Sequence, residues 1–547
     1  MANPIRDTSA GQLLRAVGFK SWLAYPEELP SFEPQQMPAV PETLPVTNIE
    51  DLEKTLSKIA TKETASNGLT SESSSEKDVG EAIVVSWTSN DKDNPRNWSQ
   101  GKKMYTLTLI NLYTFVVYLT ASIITPTAEF IVKRYDVSIV MASLGLSMYV
   151  VGYGLGPMFF SPLSEVAWIG RNPPYLYSFI VFFAMSIALC FVDNFPGIIV
   201  LRFLQGFFGS PCLASGAASI EDVYDIYSAP YGYIFWVGAM YCGPAFGPLL
   251  AGYAVVSNWR WPLYEVVIMA SIILMFLPFL PETNPNTILL SRAKRLRKAT
   301  GNKMYLAVSE LKPLRFGAAL TEAMIKPLEI SVKDPAIAYA CIYGALVYAT
   351  YYSFFEAFPL VYLGVYRMSL GAMGLIFAGL VIGCVVAIIT YAVYLRHYFI
   401  PRSRKYHEHR GHPVEQEEWL RPGLIGVWGL PVGLLIFAWT ARSDIHWIVP
   451  TIGIPIFATT SFWTFQSLVC YVALAYPRYV ASLFAANDFC RSMTAAAFVQ
   501  FSRQMYMNLG IGKGVTLVAG LSVIGIIGMH GLYSFGPYLR AKSKFTG

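Results

Sequence analysis

Apolar runs of about twenty residues recur from Lys102 to the C-terminal region, and this repetition constrains the fold more than any other feature of the sequence. A helix needs about 20 apolar residues to cross the hydrocarbon core of a bilayer. Soluble proteins contain about 25% charged residues, whereas this chain is 54% hydrophobic and only 14% charged. We therefore predict an all-α membrane protein with twelve transmembrane helices. Their approximate ranges are 104–125, 138–160, 174–193, 196–219, 231–255, 262–280, 335–358, 370–395, 422–441, 446–470, 480–500 and 514–536.

Positive charge is concentrated in the two longest connections between these runs. The connection 281–334 holds ten Lys and Arg residues, including the run "RAKRLRK" at 292–298, and the connection 396–421 holds six. Connections on the other side hold at most two each. Because basic loops stay on the cytoplasmic side of a membrane, we expect both long connections and both termini in the cytosol. Topology then accounts for the net charge of +6, and no nucleic-acid partner is expected.

Six runs, a long basic connection and six further runs predict two six-helix bundles. The N-terminal region is expected to be mostly disordered, because the stretch "ASNGLTSESSSEKD" at 65–78 has too few apolar residues for a packed core. Within this region, "QLLRAVGFKSWL" at 12–23 forms either a membrane-surface helix or only local order. The predicted units are the cytoplasmic tail 1–101, the first bundle 102–281, the central connection 282–334, the second bundle 335–536 and the cytoplasmic tail 537–547.

Glycine and proline are concentrated in the fifth run, within "VGAMYCGPAFGPLLAGY" at 237–253. Small residues let helix backbones approach closely in lipid, and neighbouring helices can satisfy the carbonyls that proline leaves unpaired. The second, eighth and eleventh runs are also rich in Gly or Ala, so these four runs are predicted to form the seam between the bundles. We interpret the fifth run as a gating element; the alternative is a helix that only packs. The residues concerned are Gly238, Gly243, Pro244, Gly247, Pro248 and Gly252.

Ionisable residues inside the apolar runs are candidates for proton coupling, because a charge at membrane depth is costly unless it is paired or faces water. Arg202 of the fourth run either acts in a cavity or extends to the outer headgroups. Among the carboxylates, Glu356 is the first candidate proton site and Asp222 the second. For each, the alternative is an interfacial acid without a coupling function. The other acids near membrane depth are Glu129, Glu265 and Asp488.

Six aromatic residues accompany Glu356 in the stretch "YATYYSFFEAFP" at 348–359. Aromatic surfaces of this kind accept flat apolar or cationic molecules. Helical spacing allows about half of the rings to face inward, while the others face lipid. The predicted cavity residues are Tyr348, Tyr351, Tyr352 and Phe355.

No metal, cofactor or enzymatic site is predicted. The three histidines of "YHEHRGH" at 406–412 match no closed metal site and lie among basic residues, so we interpret them as part of a solvated loop. The seven cysteines lie in apolar runs and lack metal-ligand spacing. No phosphate-binding Walker loop and no hydrolase motif occurs in a usable context. ATP-driven export and hydrolase chemistry are therefore disfavoured.

Several motifs taken together resemble the major facilitator superfamily, and within it the fungal twelve-helix drug:proton antiporters of the benomyl and fluconazole resistance type. "GPAFGPLLAG" at 243–252 resembles the antiporter signature of the fifth helix, and "RFLQG" at 202–206 matches a pattern of the fourth. "FAANDFCRS" at 484–492 is similar to the eleventh helix of this family and contains Asn487, Asp488 and Arg491. Three shorter stretches are also similar: "NPRNW" at 94–98, "PET" at 281–283 and "FFEAFP" at 354–359.

The stretch "SPLSEVAWIGRNP" at 161–173 resembles the loop between the second and third helices of the superfamily, but it departs from the usual pattern Gly-x-Leu-Ala-Asp-Arg-x-Gly-Arg. Glu165 stands where Asp is usual, the first Arg is missing, and the spacing to Gly170 and Arg171 is longer. We expect the loop to keep its gating function through Glu165 and Arg171, which would pair with a helix end.

The resemblance implies the major facilitator fold and a proton-coupled efflux transporter for small hydrophobic or cationic toxic compounds, including drugs and fungicides. Such a transporter works by alternating access. The resemblance also implies a monomer in a fungal plasma membrane, with protons, small hydrophobic molecules and lipid as its partners. Two alternatives stay open: an exporter of a specific metabolite, such as a polyamine or a secreted toxin, and a non-transporting membrane receptor on the same fold.

Overall fold

The structure is a computed structural model, and it describes residues 5–29, 83–88, 90–311, 325, 328–411, 414–475 and 480–542. Ten helices in this part of the chain are long and apolar enough to cross a membrane. We number the spans in chain order. Spans 1 to 6 are Gln100–Tyr135, Ile139–Glu165, Asn172–Phe191, Phe195–Val223, Ala229–Ser257 and Trp261–Phe279, and spans 8, 9, 10 and 12 are Leu370–Arg410, Gln416–Thr440, Ile448–Leu474 and Ile511–Lys542.

Two further helices complete the twelve predicted spans. Span 7 is the helix Pro335–Phe358, and span 11 is the helix Val480–Leu509. Both are long enough to cross a bilayer, but tyrosines in span 7 and charged residues in span 11 make them less apolar than the other ten. Less apolar spans are expected where a helix lines the interior of a bundle and does not face lipid.

Several spans are built from shorter helical pieces. Span 1 consists of Gln100–Ser122 and Ala128–Tyr135, and span 4 of Phe195–Gly209 and Cys212–Val223. Span 8 contains the helices Leu370–Ile376, Ala378–Tyr394 and Ile400–Arg410, and span 9 contains the helix Arg421–Thr440. In span 6, the α-helix Trp261–Phe276 continues into the 3₁₀ turn Leu277–Phe279.

The pairs of spans in the first half have counterparts in the second half. Span 1 packs against span 5 and span 2 against span 4, while span 7 packs against span 11 and span 8 against span 10. The most extensive contacts between the halves are those of span 2 with span 11 and of span 5 with span 8. The four spans that are rich in small residues therefore meet at the boundary between the halves. We call this boundary the seam.

The N-terminal segment and the central connection form a small unit beside the first half. The helix Ser9–Val17 begins at Thr8, whose hydroxyl accepts a hydrogen bond from the Gly11 amide at 3.0 Å. Strand β1 (Ile83–Val84) pairs in parallel with strand β2 (Tyr305–Leu306). The remaining elements are the 3₁₀ turns Pro26–Glu28 and Pro95–Asn97 and the helices Pro285–Thr300 and Val308–Leu311.

Arg292 holds this unit together. Its guanidinium contacts Asp91 at 2.5 Å, Asp93 at 3.1 Å and Glu27 at 3.1 Å, and all four side chains are largely buried. We call this group the clasp. The sequence predicted a mostly disordered tail, yet residues 5–29 and 90–101 contain helical turns that pack against the helix Pro285–Thr300 and the first half. The Ser-rich stretch 65–78 lies outside the described residues.

Candidate functional site

Span 5 is a continuous helix in spite of its two internal prolines. Pro248 has no amide hydrogen, so the carbonyl of Pro244, four residues earlier, loses its partner within the helix. The hydroxyl of Ser122 in span 1 donates to this carbonyl at 2.7 Å. A neighbouring span thus satisfies the group that proline leaves unpaired.

The glycines of span 5 face two different neighbours. A Cβ at Gly243 would lie 2.7 Å from the Cβ of Tyr118, and a Cβ at Gly247 would collide with Ser122, so both positions contact span 1 of the same half. A Cβ at Gly238 would lie 2.8 Å from Ile388, and one at Gly252 would lie 3.1 Å from the carbonyl oxygen of Leu370, both in span 8. Only the second pair of glycines lies at the seam; the first pair allows close packing inside the first half.

Tyrosine hydroxyls from both halves meet in the middle of the bundle. The Tyr153 hydroxyl of span 2 lies 2.7 Å from that of Tyr348 and donates to that of Tyr352 at 3.0 Å. Tyr351 donates to the carbonyl oxygen of Tyr241 in span 5 at 2.6 Å. Together these contacts link span 7 to spans 2 and 5 across the seam. The remaining predicted cavity residue, Phe355, is buried and stacks on Phe377 of span 8 at 5.2 Å.

A buried ion pair lies beside these tyrosines. Arg491 and Asp488 of span 11 contact each other, and their side chains are 2% and 1% exposed. Arg491 also donates to the Tyr118 hydroxyl at 3.3 Å and lies 3.0 Å from the sulfur of Met240, both in the first half. Asn487 instead contacts the carbonyl oxygen of Ala340 in span 7 at 3.4 Å. We call Tyr118, Tyr153, Met240, Tyr348, Tyr352, Asp488 and Arg491 the central cluster.

Glu356 pairs with a residue that the sequence reasoning missed. Its carboxylate lies 3.8 Å from the guanidinium of Arg503 in span 11, and Glu356 is largely buried while Arg503 is about a quarter exposed. The signal that points to Arg503 is its charge inside an otherwise apolar run, because such residues mark functional positions in membrane proteins. The central-cluster residues Tyr118, Tyr153 and Met240 carry no comparable sequence signal.

Arg202 is fully buried, and its contacts lie in the first half. Its guanidinium donates to the carbonyl oxygens of Gly145 at 2.8 Å, Thr120 at 2.9 Å and Ala121 at 2.7 Å. It also donates to Gln205 and lies over the ring of Tyr149, 4.3 Å from its centroid. These carbonyls belong to spans 1 and 2, so Arg202 fastens both of them to span 4.

The loop between spans 2 and 3 contacts Asp222 near the end of span 4. This contact lies at the same end of the bundle as the central connection. Arg171 donates to Asp222 at 2.7 Å and to Ser164 at 3.2 Å. Asp222 also accepts from Thr283 of the "PET" motif at 3.3 Å. Glu165 is exposed at the end of span 2, and the ion pair of Arg171 is with Asp222, an acid of span 4.

Glu282 of the same "PET" motif accepts hydrogen bonds from the backbone amides of Arg171 at 3.0 Å and Asn172 at 3.1 Å, at the start of span 3. Burial raises the pKa of Glu282, and these amide hydrogen bonds oppose the shift. Gly170 directly precedes Arg171 and has a φ of 79°, in the left-handed region. A Cβ at this position would lie 2.6 Å from the Glu282 carboxylate. Glycine at 170 therefore allows the loop to turn against this carboxylate.

Contacts cross the seam on both sides of the central cluster. At the end opposite the central connection, Gln500 of span 11 donates to Ser147 of span 2 at 2.6 Å. Toward the central connection, the rings of Trp236 in span 5 and Phe484 in span 11 lie 6.1 Å apart. The central cluster is consequently enclosed between two sets of contacts.

The structure thus brings together the predicted aromatic residues and the eleventh-helix motif, but it separates the three residues predicted for proton coupling. Asp222 lies with Arg171, Glu356 with Arg503, and Arg202 on backbone carbonyls. Among the described residues, no group of three or more His, Cys, Asp or Glu side chains could hold a metal ion.

This twelve-span arrangement of two equivalent halves around a buried polar cluster agrees with the comparison of the sequence with known families. Residues 110–499 match the Major Facilitator Superfamily. The chain belongs to this superfamily. The predicted fold is thereby confirmed, and the chain is a multi-pass membrane protein of a transporter family.

Similar proteins are fungal members of the superfamily. The chain is 43% identical to the MFS-type transporter pyvG of Aspergillus violaceofuscus, over 85% of this chain and 86% of that one. It is 37% identical to fluconazole resistance protein 1 of Saccharomyces cerevisiae, over 87% of each chain. The predicted membership of the fungal drug-resistance type is confirmed by these relatives.

A solved structure of the proton:xylose symporter XylE, bound to 6-bromo-6-deoxy-D-glucose, matches with a TM-score of 0.56 and 13% identity. The match covers 80% of this chain and 97% of XylE. At this identity the likeness shows the fold alone.

Proposed function

We propose that this major facilitator protein is a proton-driven exporter of small apolar or cationic toxic compounds. The observation that carries the proposal is the central cluster, in which aromatic rings and a buried Asp488–Arg491 pair are shared by both halves. Rings give a tolerant binding surface, and the buried carboxylate of Asp488 is stabilised by a cation. A compound that binds in this cluster would contact both halves, so its binding would depend on how the halves are arranged.

The relatives support the direction of transport, which is out of the cell, and the class of substrate. One protein that is 37% identical over 87% of its length bears a name that refers to fluconazole resistance. A membrane transporter can confer resistance to a toxic compound by carrying it out of the cell. The alternative of a non-transporting receptor does not account for ionisable side chains buried at the seam between two halves.

Alternating access supplies the mechanism. The contacts Gln500–Ser147 and Trp236–Phe484 enclose the central cluster, so breaking one set at a time would open it to one side of the membrane. Gly238 and Gly252 let span 5 approach span 8 closely and would allow the halves to rock. Arg171 and Asp222 would act as a fastening that keeps the cytoplasmic end of the first half together during this motion.

Glu356 is the proposed proton site. When Glu356 is protonated, its side chain is neutral and no longer attracts Arg503. The contact between spans 7 and 11 therefore weakens. Without the proton, the ion pair re-forms. Protonation from outside would favour the return of the carrier to its inward-facing state, where the proton leaves and a substrate binds. Arg202 would keep spans 1, 2 and 4 fixed relative to one another.

The same proposal specifies the membrane in which the protein lies and its orientation there. The basic connections predict that both termini and the central connection face the cytosol, and export of toxic compounds from the cell requires the plasma membrane. An impermeant reagent that labels the central connection on intact cells would overturn this orientation. The proposed transporter acts as a monomer, because the central cluster is formed by one chain.

Reconstitution tests the function. Purified protein in liposomes with an imposed pH gradient should accumulate fluconazole, cycloheximide or tetraphenylphosphonium, and a protonophore should abolish the accumulation. Spermidine in the same panel tests the alternative of a polyamine exporter. Liposomes without protein and liposomes with the Glu356→Gln variant provide the controls. Accumulation that persists without a pH gradient would contradict proton coupling, and accumulation of spermidine alone would favour the alternative.

A further inference from the structure

The guanidinium of Arg491 lies in a cage formed by five spans. It is 4.7 Å from the ring centroid of Tyr348 and 4.8 Å from that of Phe465 in span 10. The Asp488 carboxylate, the Tyr118 hydroxyl and the Met240 sulfur complete the surroundings. Aromatic faces, a thioether and one carboxylate are the groups that recognise an organic cation.

The buried arginines of spans 4 and 11, Arg202 and Arg491, differ in how well their hydrogen-bond donors are satisfied. Arg202 donates through Nε and both terminal nitrogens to backbone carbonyls and Gln205. The Nε of Arg491, by contrast, has no hydrogen-bond partner among the described residues. Removal of Arg202 from its site would leave backbone carbonyls of two other spans without their partner. The Arg491 guanidinium instead contacts side chains, namely the Asp488 carboxylate, two rings, the Tyr118 hydroxyl and the Met240 sulfur, and side chains can reorient. Arg491 is therefore the arginine that can leave its site.

We infer that the cage around Arg491 is the binding site for the cationic group of an organic cation, and that Arg491 occupies this site in the empty transporter. The inference rests on the proposed function and specifies its substrate class. An entering cation would take the place of the guanidinium against Asp488, Tyr348 and Phe465. Arg491 would move into the water that enters when the halves open. The charge of the cage is the same before and after the exchange.

Because the Arg491 guanidinium occupies the site in the empty transporter, it affects which compounds bind. Neutral compounds bind the surrounding rings without competing for Asp488. Cations must displace Arg491, so their affinity is reduced by the stability of the Arg491–Asp488 contact. Selectivity between cations and neutral compounds is therefore set by Arg491.

Equilibrium binding to purified protein in detergent tests the inference without any pH gradient. The probes are tetraphenylphosphonium, which is a permanent cation, and the neutral compound triphenylphosphine oxide. Arg491→Met should bind tetraphenylphosphonium about tenfold more tightly than wild type, because the competing cation is gone. Asp488→Asn should bind it about tenfold more weakly. The affinity for triphenylphosphine oxide should change less than about twofold in both variants.

Two further variants keep the test decisive if Arg491→Met does not fold. Phe465→Leu removes one ring and leaves the ion pair intact. It should weaken tetraphenylphosphonium binding about fivefold, and it should weaken binding of the neutral probe, which gains no cation–π contact from this ring, less than about twofold. Arg442→Met, which removes an exposed positive charge from the connection between spans 9 and 10, should change neither affinity.

The outcomes separate this inference from the proposed function. Equal affinity of wild type, Arg491→Met and Phe465→Leu for tetraphenylphosphonium would overturn the inference, even if wild type transports drugs. Expected binding differences together with absent pH-driven transport would support the cage and contradict the proposed function.

Discussion

The hydroxyl of Ser122 donates to the carbonyl oxygen of Pro244, the group that Pro248 leaves without a partner in its own helix. This contact joins spans 1 and 5 at the position where the helix with two prolines is weakest. It explains how a run rich in Gly and Pro remains a continuous helix of 29 residues. In lipid there is no water to take over such a carbonyl, so a neighbouring side chain must do so.

Ser122→Ala should therefore destabilise the first half. The variant leaves a buried carbonyl unpaired, which costs about 1–3 kcal/mol. The melting temperature of the purified protein, measured by the loss of monodisperse protein on heating, should fall by several degrees. Ser271→Ala is the matched control, because Ser271 is exposed and bonds within its own helix. Equal melting temperatures for wild type and Ser122→Ala would show that the contact contributes nothing to stability.

Two glycine substitutions should separate packing within a half from closure of the seam. A Cβ at Gly243 would lie 2.7 Å from the Cβ of Tyr118 in the same half, whereas a Cβ at Gly374 would lie 2.6 Å from the carbonyl oxygen of Pro248 across the seam. Overpacking costs about 1–3 kcal/mol. Gly243→Ala should lower the melting temperature, and Gly374→Ala should lower the transport rate about tenfold with a smaller thermal effect.

The control for both glycine variants is Gly520→Ala, because a Cβ there would meet no atom within 4 Å. The sequence pattern alone placed Gly243 at the seam. Loss of transport in Gly243→Ala at an unchanged melting temperature would favour that original placement over the packing seen in the structure.

Glu356→Gln should abolish accumulation driven by a pH gradient while substrate exchange across the membrane continues. The amide resembles the protonated acid and cannot release a proton. Glu356→Asp keeps the charge on a shorter side chain and should retain partial coupling. The measurement compares pH-driven uptake with counterflow of labelled substrate in the same liposomes. Full coupling in Glu356→Gln, combined with its loss in Asp222→Asn, would move the proton site to span 4.

Arg292→Gln should release the clasp between the N-terminal segment and the central connection. Hydrogen exchange of residues 83–88 should become about tenfold faster, because β1 is held through the clasp and through β2. Lys298→Gln removes one exposed charge from the same helix and is the matched control. Unchanged exchange in Arg292→Gln would show that strand pairing alone orders this segment.

The clasp should also resist mild acid. Burial alone would raise the pKa of Asp91, but the hydrogen bonds and charge of Arg292 outweigh burial and lower the pKa of Asp91 below its ordinary value. A depressed pKa means that the stabilisation is present above the unfolded-state pKa, about 3.9, and is lost only as the pH falls through the lower folded-state value. Exchange of residues 83–88, corrected for the intrinsic rate, should stay constant between pH 5 and 8; a loss of protection near pH 6 would contradict this.

The sequence by itself determined the number and order of the spans, the two halves and the superfamily. Hydropathy over about twenty residues is a local property, and lipid imposes it on each helix separately. The spacing of Asp488 and Arg491, three residues apart on one helix, also places them side by side without any tertiary information. Motifs in spans 4, 5 and 11 were sufficient to indicate the drug-resistance type.

Only the tertiary structure decided which side chains meet. Asp222 contacts Arg171 and Glu356 contacts Arg503, although neither pair is close in the sequence. Gly243 and Gly252 look alike in the sequence, yet one faces span 1 and the other span 8. Arg202 was predicted as a candidate for proton coupling from the sequence, and the structure shows that it binds carbonyl oxygens of spans 1 and 2, which its position in the sequence does not indicate. Which side chains contact each other depends on how helices distant in the chain are rotated and packed. This rotation is fixed by contacts summed over the whole bundle.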